Sequence, residues 1–305
     1  MGLLDGKVIM ITGAGNGIGR DCAIEAAALG AKVLVNDLGG RGDGRDEGSN
    51  APAAEVVDII RKNGGEAIAN YSSVTDLSAV KQMVEQCLDE FGGLHAIMNP
   101  AGILRDGMFH KTSEEDFFDV VDVHLRGAYN VAKASIDHFR KQEDGNYVFF
   151  TSTGGLIGNF GQSNYAAAKM GVVGLSRILA MEGARKKVRS NAIAPFAWTR
   201  LVATIPVKDE ESRQRVERFK TGMRAEQVAK FCIALCADKS SHVSGQLFSI
   251  RGNEIFLMSQ PRPMRSIARG DGWTTEQIVD NAIPALENWF YDLEPSAKSF
   301  PGEPV

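Results

Sequence analysis

Apolar runs alternate with helical patterns along most of the chain. Runs such as Val8-Ile9-Met10-Ile11 and Tyr147-Val148-Phe149-Phe150 are short, apolar and bounded by polar residues or glycine, which indicates buried strands. The predicted strands are 7–12, 32–37, 66–70, 94–99, 146–151, 188–193 and 246–250, and the predicted helices are 17–30, 51–63, 76–91, 113–140, 163–184 and 225–237. Strands that alternate with helices favour a sheet covered on both faces. The pattern predicts an α/β protein with a doubly wound, parallel, seven-stranded sheet.

Three segments depart from this alternation. Residues 39–50 are rich in Gly, Asp and Arg and predict a solvated loop rather than a metal site, although Asp43, Asp46 and Glu47 cluster there. Residues 196–223 are mixed and charged, and their apolar residues are candidates either for substrate contacts or for core packing; these are Trp198, Leu201 and Ile205.

The last fifty residues exceed what the sheet needs. We therefore divide the chain into a main domain, 1–255, and an extension, 256–305. Large apolar residues recur at roughly helical spacing from 273 to 290 and predict an amphipathic helix docked on a surface. The extension is expected to form either the rim of a substrate pocket or an arm across a partner subunit.

Composition and charge exclude several classes of protein. The net charge is −4 and no basic run occurs, so nucleic acid is not an expected partner. The four cysteines lack metal-binding or disulfide spacing, and Cys232 and Cys236 are predicted to be core thiols. Asp5 and Lys7 interrupt the N-terminal apolar residues, and no apolar run has the length that crosses a membrane. A cytoplasmic enzyme without a membrane partner or a metal is expected.

A glycine-rich turn follows the first predicted strand and opens the first helix. Gly13, Asn16, Gly17, Ile18 and Gly19 form it, and glycines there let the backbone approach a pyrophosphate at the helix N-terminus. The second strand ends at Asp37, whose carboxylate can accept hydrogen bonds from a ribose and would repel a 2′-phosphate. The pattern predicts NAD rather than NADP, unless Asp37 is only a turn residue.

Tyr165 and Lys169 are spaced so that one helix face carries both side chains. A cation close to a phenol favours the phenolate, so Lys169 is expected to lower the pKa of Tyr165 and make it a general base. Ser152 follows a predicted strand, where its hydroxyl can hydrogen-bond a substrate oxygen. The alternative is that Tyr165 is half-buried and Lys169 is a surface residue.

These motifs together resemble those of the short-chain dehydrogenase/reductase family over residues 4 to 255. The glycine spacing of that family, its Asn-Asn-Ala-Gly motif (here Asn99-Pro100-Ala101-Gly102) and its Asn-x-x-x-Pro motif (here Asn191 to Pro195) occur in the expected order. The resemblance implies a Rossmann fold, a homodimer or homotetramer, and Ser152, Tyr165 and Lys169 as catalytic residues. It also implies further contacts to NAD from Ser73, Val74, Asn99, Ala101, Gly102, Tyr165, Lys169, Pro195 and Thr199.

A closer resemblance is to the (3R)-hydroxyacyl-CoA dehydrogenases that form a module of peroxisomal multifunctional enzymes. It rests on segments such as Ala101 to Asp106, Val123 to Gly127 and Gly158 to Gln162. His124 replaces the usual catalytic Asn, as in that subfamily, and is either a proton-relay residue or a packed helix residue. The implied function is oxidation of a bulky 3-hydroxyacyl-CoA, with Arg105, Arg126, Arg262, Arg265 and Arg269 as candidate phosphate contacts or plain surface charges. Alternatives are a dehydrogenase of free hydroxysteroids and a non-catalytic NAD-binding protein.

Overall fold

The computed structural model describes residues 2–198 and 210–300, and the fold within them is an α/β sandwich. Its strands are β1 Val8–Ile11, β2 Lys32–Asn36, β3 Glu66–Asn70, β4 Ala96–Asn99, β5 Gly145–Phe150, β6 Val188–Phe196, β7 Leu247–Arg251 and β8 Glu254–Leu257. Its helices are α1 Gly17–Ala28, α2 Ala51–Lys62, α3 Leu77–Phe91, α4 Glu114–Val121, α5 Gly127–Gln142, α6 Thr153–Leu156, α7 Ser163–Gly183, α8 Glu210–Gly222, α9 Ala225–Ala234, α10 Thr275–Gln277 and α11 Ile283–Leu286.

The strands form one sheet in the order β3-β2-β1-β4-β5-β6-β7-β8. Neighbours from β3 through β7 pair in parallel, which confirms the predicted doubly wound sheet. The strand order reverses between β1 and β4. In such sheets ligands bind beyond the carboxyl ends of the strands at this reversal, so the fold places a crevice after β1, β4 and β5.

An eighth strand extends the predicted seven. β8 pairs antiparallel with β7 across the turn Gly252-Asn253, where Gly252 has a φ of +58°. This positive φ suits glycine and allows a two-residue hairpin. The predicted domain boundary between residues 255 and 256 lies inside β8, and the division of the chain stays a prediction.

Helices cover both faces of the sheet, and each face has its own apolar core. One core packs α1, α2 and α9 against the sheet and contains Cys22, Cys232 and Cys236 as buried thiols. The other packs α3, α5 and α7 against the opposite face around Phe139 and Tyr147. Both cores hold the strands in register, so the carboxyl ends that carry the candidate site have fixed relative positions.

The predicted helix 113–140 is interrupted by a π-helical turn, Asp122–Arg126, between α4 and α5. Ser113 caps the start of α4 by accepting a hydrogen bond from the Asp116 N–H at 3.0 Å. A π turn inserts one residue into a helix and often marks a functional position. Here it turns the buried His124 toward the crevice.

Apolar side chains on α4, α5 and α7 divide into two sets. Val120, Val131, Val172 and Val173 are buried within the chain, whereas Phe118, Tyr129, Met170, Ile178 and Met181 are exposed. The exposed set forms a candidate contact surface for another subunit.

In the described residues, none of the helices combines the length and apolar character needed to cross a membrane.

The C-terminal extension has two parts with different packing. Residues 275–289 are helical in short pieces, as the apolar spacing predicted, but Ile278, Ile283 and Trp289 are exposed. This chain therefore leaves these side chains exposed, and docking of the helix on a surface of a partner subunit stays a prediction. Ser296, by contrast, is buried where its turn contacts α6, and Phe300 packs edge-to-face on Phe196 at 4.8 Å between ring centroids.

Candidate active site

The glycine-rich turn joins β1 to α1 in a conformation that other residues would strain. Gly13 and Gly17 have φ angles of +57° and +54°. A Cβ on Gly13 would lie 2.7 Å from the Ala101 Cα, and one on Gly19 would lie 2.3 Å from the Gly13 carbonyl oxygen. The turn therefore packs backbone against backbone and leaves the N-terminus of α1 facing the crevice. This cradle fits the pyrophosphate of a dinucleotide.

Asp37 lies just after β2 and fixes this turn from the side. Its Oδ2 accepts a hydrogen bond from the Gly15 N–H at 2.7 Å, and its Oδ1 accepts one from the Gly39 N–H at 2.6 Å. Each carboxylate oxygen can accept a second bond, so the side chain retains capacity for ribose hydroxyls. Asp37 thus has the structural role of a turn residue, which was the alternative interpretation, and its role in cofactor choice stays a prediction.

One open cavity of about 930 Å³ contains most of the predicted site. Its lining includes Gly13, Asn16, Gly17, Ile18, Gly19, Asp37, Ser73, Val74, Ala101, Gly102, His124, Ser152, Tyr165, Lys169 and Pro195. Asn99 is not in this lining, because its side chain is buried and accepts a hydrogen bond from the Thr12 hydroxyl at 2.5 Å. Thr199, Leu201 and Ile205 lie outside the described residues.

Ser152, Tyr165 and Lys169 converge on one wall of the cavity. The N-terminal part of α7 carries Tyr165 and Lys169, and the Lys169 Nζ lies 5.4 Å from the centroid of the Tyr165 ring. Lys169 is buried, with 4% of its surface exposed, and donates a hydrogen bond to the Phe150 carbonyl at 2.7 Å. Ser152 caps α6 by accepting a bond from the Gly154 N–H at 3.1 Å. A phenol, an ammonium and a hydroxyl therefore face one space.

Burial shifts the pKa values of this pair in opposite directions. It raises the pKa of Tyr165 to about 12, although a hydrogen bond with Ser152 acts to lower it. It lowers the pKa of Lys169 to about 7. The expectation that Lys169 lowers the pKa of Tyr165 is therefore wrong for the chain alone, because desolvation of the phenol has the largest effect on that pKa. The hydrogen bond with Ser152 opposes this rise only in part.

His124 occupies a closely fitted position between the crevice wall and Tyr165. Its ring meets the Tyr165 ring edge-on, at 5.1 Å between centroids and 85°, and a Cβ on Gly102 would lie 2.1 Å from its Cε1. Burial and then the charge of Lys169 lower the pKa of His124 well below its usual range, so the ring is neutral at pH 7. Its Nε2 lies 2.9 Å from the Ile103 carbonyl and therefore carries the hydrogen. Within the described chain, Nδ1 has no partner.

Several polar residues of the cavity were not predicted as site residues, and four of them are connected by hydrogen bonds. Asp106, Asn159, Gln162 and Ser296 line the cavity beside Ser152. The motif segments 101–106 and 158–162 contain the first three, so the closer resemblance was a signal that could have identified them. Ser296 could not be found in this way, because it reaches the cavity only through the fold of the C-terminal extension.

The five arginines that were candidate phosphate contacts lie in different surroundings. Arg105 is buried and lies 2.6 Å from Asp119 and 3.1 Å from Asp116, so it is an internal ion-pair residue. Arg126 lines the cavity and lies 3.0 Å from Asp122. Arg262, Arg265 and Arg269 lie in the exposed extension.

In residues 2–198 and 210–300, no group of three or more His, Cys, Asp and Glu side chains could hold a metal ion.

Comparison with known proteins identifies one family for this chain from both sequence and structure. A family model described as short chain dehydrogenase matches residues 7–205. A putative short-chain type dehydrogenase/reductase of Mycobacterium tuberculosis is 45% identical over 267 residues, which cover 86% of this chain and 91% of that protein. The peroxisomal multifunctional enzyme type 2 of Mus musculus is 40% identical over 279 residues, 91% of this chain but 36% of that enzyme. A crystal structure of a short chain dehydrogenase from Mycobacterium avium is 34% identical, with a TM-score of 0.84, and the match covers 97% of this chain and 99% of that one.

Proposed function

The chain belongs to the short-chain dehydrogenase family, and we propose that it oxidises the secondary alcohol of a 3-hydroxyacyl-CoA to a ketone with NAD. The observation that carries this proposal is the convergence of Ser152, Tyr165 and Lys169 on a cavity that also contains the glycine-rich turn and Asp37. A base and a dinucleotide cradle in one space are what alcohol oxidation requires.

Tyr165 is the proposed general base. Its hydroxyl and that of Ser152 hold the substrate hydroxyl, and Tyr165 takes the proton as the carbon–hydrogen bond breaks. NAD, when bound, accepts the hydride from the carbinol carbon. Because the pKa of Lys169 is about 7 and that of Tyr165 about 12, the pair has lost one proton between these values. The remaining proton can be shared so that the phenolate stands beside an ammonium.

Lys169 and His124 have supporting roles in this proposal. Lys169 is fixed by the Phe150 carbonyl, and its other N–H groups can reach the cofactor ribose and supply the compensating charge. His124 is neutral and cannot serve as an acid near pH 7. Its ring instead limits where the Tyr165 phenol can stand.

The proposal of NAD over NADP rests on the negative charge of Asp37, just after β2. The Asp37 carboxylate lines the cavity beside the glycine-rich turn, where it would hold the adenosine ribose of NAD. A 2′-phosphate there would meet a fixed negative charge, whereas ribose hydroxyls would donate to it.

The choice of a 3-hydroxyacyl-CoA rests on the motif segments shared with the (3R)-hydroxyacyl-CoA dehydrogenase modules and on the open cavity, which accepts a long substrate. A screen of NAD⁺ reduction with 3-hydroxyacyl-CoAs and free hydroxysteroids tests it. We expect turnover of the thioesters, and a loss of at least about a hundredfold in kcat for Tyr165→Phe with NAD binding retained. Tyr291→Phe, which removes an exposed hydroxyl of the same type, is the matched control.

The outcomes of this screen separate the candidate functions. Turnover of steroids alone would reassign the substrate to ring hydroxyls. NAD binding without turnover of any alcohol would indicate a non-catalytic NAD-binding protein. Retention of more than about a tenth of the activity by Tyr165→Phe would exclude Tyr165 as the base.

A further inference from the structure

A chain of hydrogen bonds connects the C-terminal extension to the substrate side of the cavity. The Ser296 hydroxyl and backbone N–H both donate to Asn159 Oδ1, at 3.0 Å and 3.2 Å. Asn159 Nδ2 donates to Gln162 Oε1 at 3.2 Å, and Gln162 Nε2 donates to Asp106 Oδ2 at 2.9 Å. Each amide oxygen accepts a hydrogen bond and each amide nitrogen donates one, so the orientations of both amides are determined by their partners.

These two amides stand beside the hydroxyl that is proposed to hold the substrate. A Cβ placed on Gly154 would lie 2.8 Å from Gln162 Oε1, 2.9 Å from Asn159 Nδ2 and 3.4 Å from Ser152 Oγ. The three polar atoms therefore surround one point, only a few ångströms from each other. The absence of a side chain at Gly154 allows the two amides to lie this close to the Ser152 hydroxyl.

Each amide retains one donor for a ligand. An amide nitrogen carries two N–H groups, and Asn159 and Gln162 each use one of them within the chain. Among the described residues no second acceptor meets either nitrogen, and both side chains line the cavity. One N–H donor of each amide thus remains in the cavity wall. That of Asn159 lies close to Ser152, whereas Gln162 turns its oxygen toward Gly154 and holds its nitrogen beside Asp106. A neutral oxygen is the group that fits such donors.

We propose that Asn159 and Gln162 form a second oxygen site, which binds the thioester carbonyl of a 3-hydroxyacyl substrate while Ser152 and Tyr165 hold its hydroxyl. The two oxygens of such a substrate lie on carbons separated by one methylene group, which suits the short separation between Ser152 and the amides. The inference rests on the proposed alcohol oxidation and adds to it a selection for β-hydroxy carbonyl compounds. Ser296 is a positioning residue that orients the Asn159 amide.

The test compares two substrates that differ in one oxygen. A 3-hydroxyacyl-CoA thioester is compared with the matching 3-hydroxyalkyl-CoA thioether, in which a methylene replaces the carbonyl. We expect the natural chain to prefer the thioester in kcat/KM, and Gln162→Leu to reduce this preference by about 10- to 100-fold, since a lost hydrogen bond leaves a buried oxygen unpaired. Gln82→Leu, the same change at an exposed position of α3, should leave the preference as it was.

Further variants make the result decisive. If Gln162→Leu lowers the melting temperature, Gln162→Met gives the same comparison, because it keeps the length of the side chain and removes the N–H donors without placing a second carboxylate beside Asp106. Ser296→Ala should reduce the preference by a smaller factor, about threefold, with KM for NAD unchanged. A merely structural role of Ser296 would lower the melting temperature and leave the preference intact.

Two results would overturn the inference in different ways. Oxidation of the thioester with a preference that is unchanged in Gln162→Leu and Ser296→Ala would refute the second oxygen site and leave the proposed function standing. Failure of the natural chain to oxidise either substrate would refute the proposed function and this inference together.

Discussion

The fit of His124 against Gly102 gives a prediction whose size can be worked out from the structure. Replacing Gly102 by Ala places a Cβ 2.1 Å from His124 Cε1, 2.9 Å from its Nδ1 and 3.0 Å from its Nε2. Contacts below 3 Å are too short, so the ring must move. The ring is buried, with 4% of its surface exposed, and its far side meets Tyr165, so it has little room to do so.

Two effects determine how much Gly102→Ala lowers the free energy of unfolding. Moving the ring breaks the 2.9 Å contact between Nε2 and the Ile103 carbonyl and leaves buried polar groups unpaired, which costs about 1–3 kcal/mol. Overpacking of a filled site costs about 1–3 kcal/mol more. We therefore expect Gly102→Ala to lower the free energy of unfolding by about 2–6 kcal/mol.

A double-mutant cycle with His124→Ala tests this cause. Removing the ring removes the clash, so Gly102→Ala should cost under about 1 kcal/mol in that background, and the coupling energy should be about 1–6 kcal/mol. Denaturant unfolding followed by circular dichroism measures all four variants. Gly270→Ala is the control, because a Cβ there meets nothing within 4 Å. Additivity of the two changes within about 0.5 kcal/mol would show that the ring does not occupy this position.

Four further outcomes are expected. The kcat/KM for alcohol oxidation should rise with pH up to about 7 and then level off, because the Tyr165–Lys169 pair loses its first proton near the Lys169 pKa of about 7; a flat profile from pH 5 to 9 would contradict this. NAD should be preferred over NADP by about a hundredfold or more and less so in Asp37→Asn, while equal use by the natural chain would reject the role of Asp37. Light scattering at micromolar concentration should give a dimer or tetramer, since apolar residues on α4, α5 and α7 are exposed, and a monomer would refute the subunit contact. Ending the chain after Leu257 should raise KM for a bulky thioester far more than KM for NAD, because Ser296 and Ala297 line the cavity; an unchanged KM would make the extension dispensable for binding.

Much of the fold was predictable because its signals are local. The alternation of apolar runs with helical patterns depends on neighbouring residues, and the seven parallel strands follow from it. The glycine positions follow from backbone angles within a single turn, as at Gly13 and Gly17. The helical spacing of Tyr165 and Lys169 is likewise a property of one helix. In all these cases the residues that interact are close in the chain, so their order in the sequence carries the information.

Other properties depended on residues far apart in the chain. The direction of the Tyr165 pKa was predicted incorrectly, because the sequence shows a nearby cation but not the depth of burial that raises it to about 12. Asn99 matches a family motif, yet its side chain does not line the cavity. Because β1 pairs with β4, that side chain accepts a hydrogen bond from Thr12 instead. Asn159 and Ser296 form a hydrogen bond although they are 137 residues apart in the sequence, and no periodic sequence pattern relates them. Desolvation and long-range contacts arise only when separate elements pack together, and for that reason the tertiary structure alone specifies them.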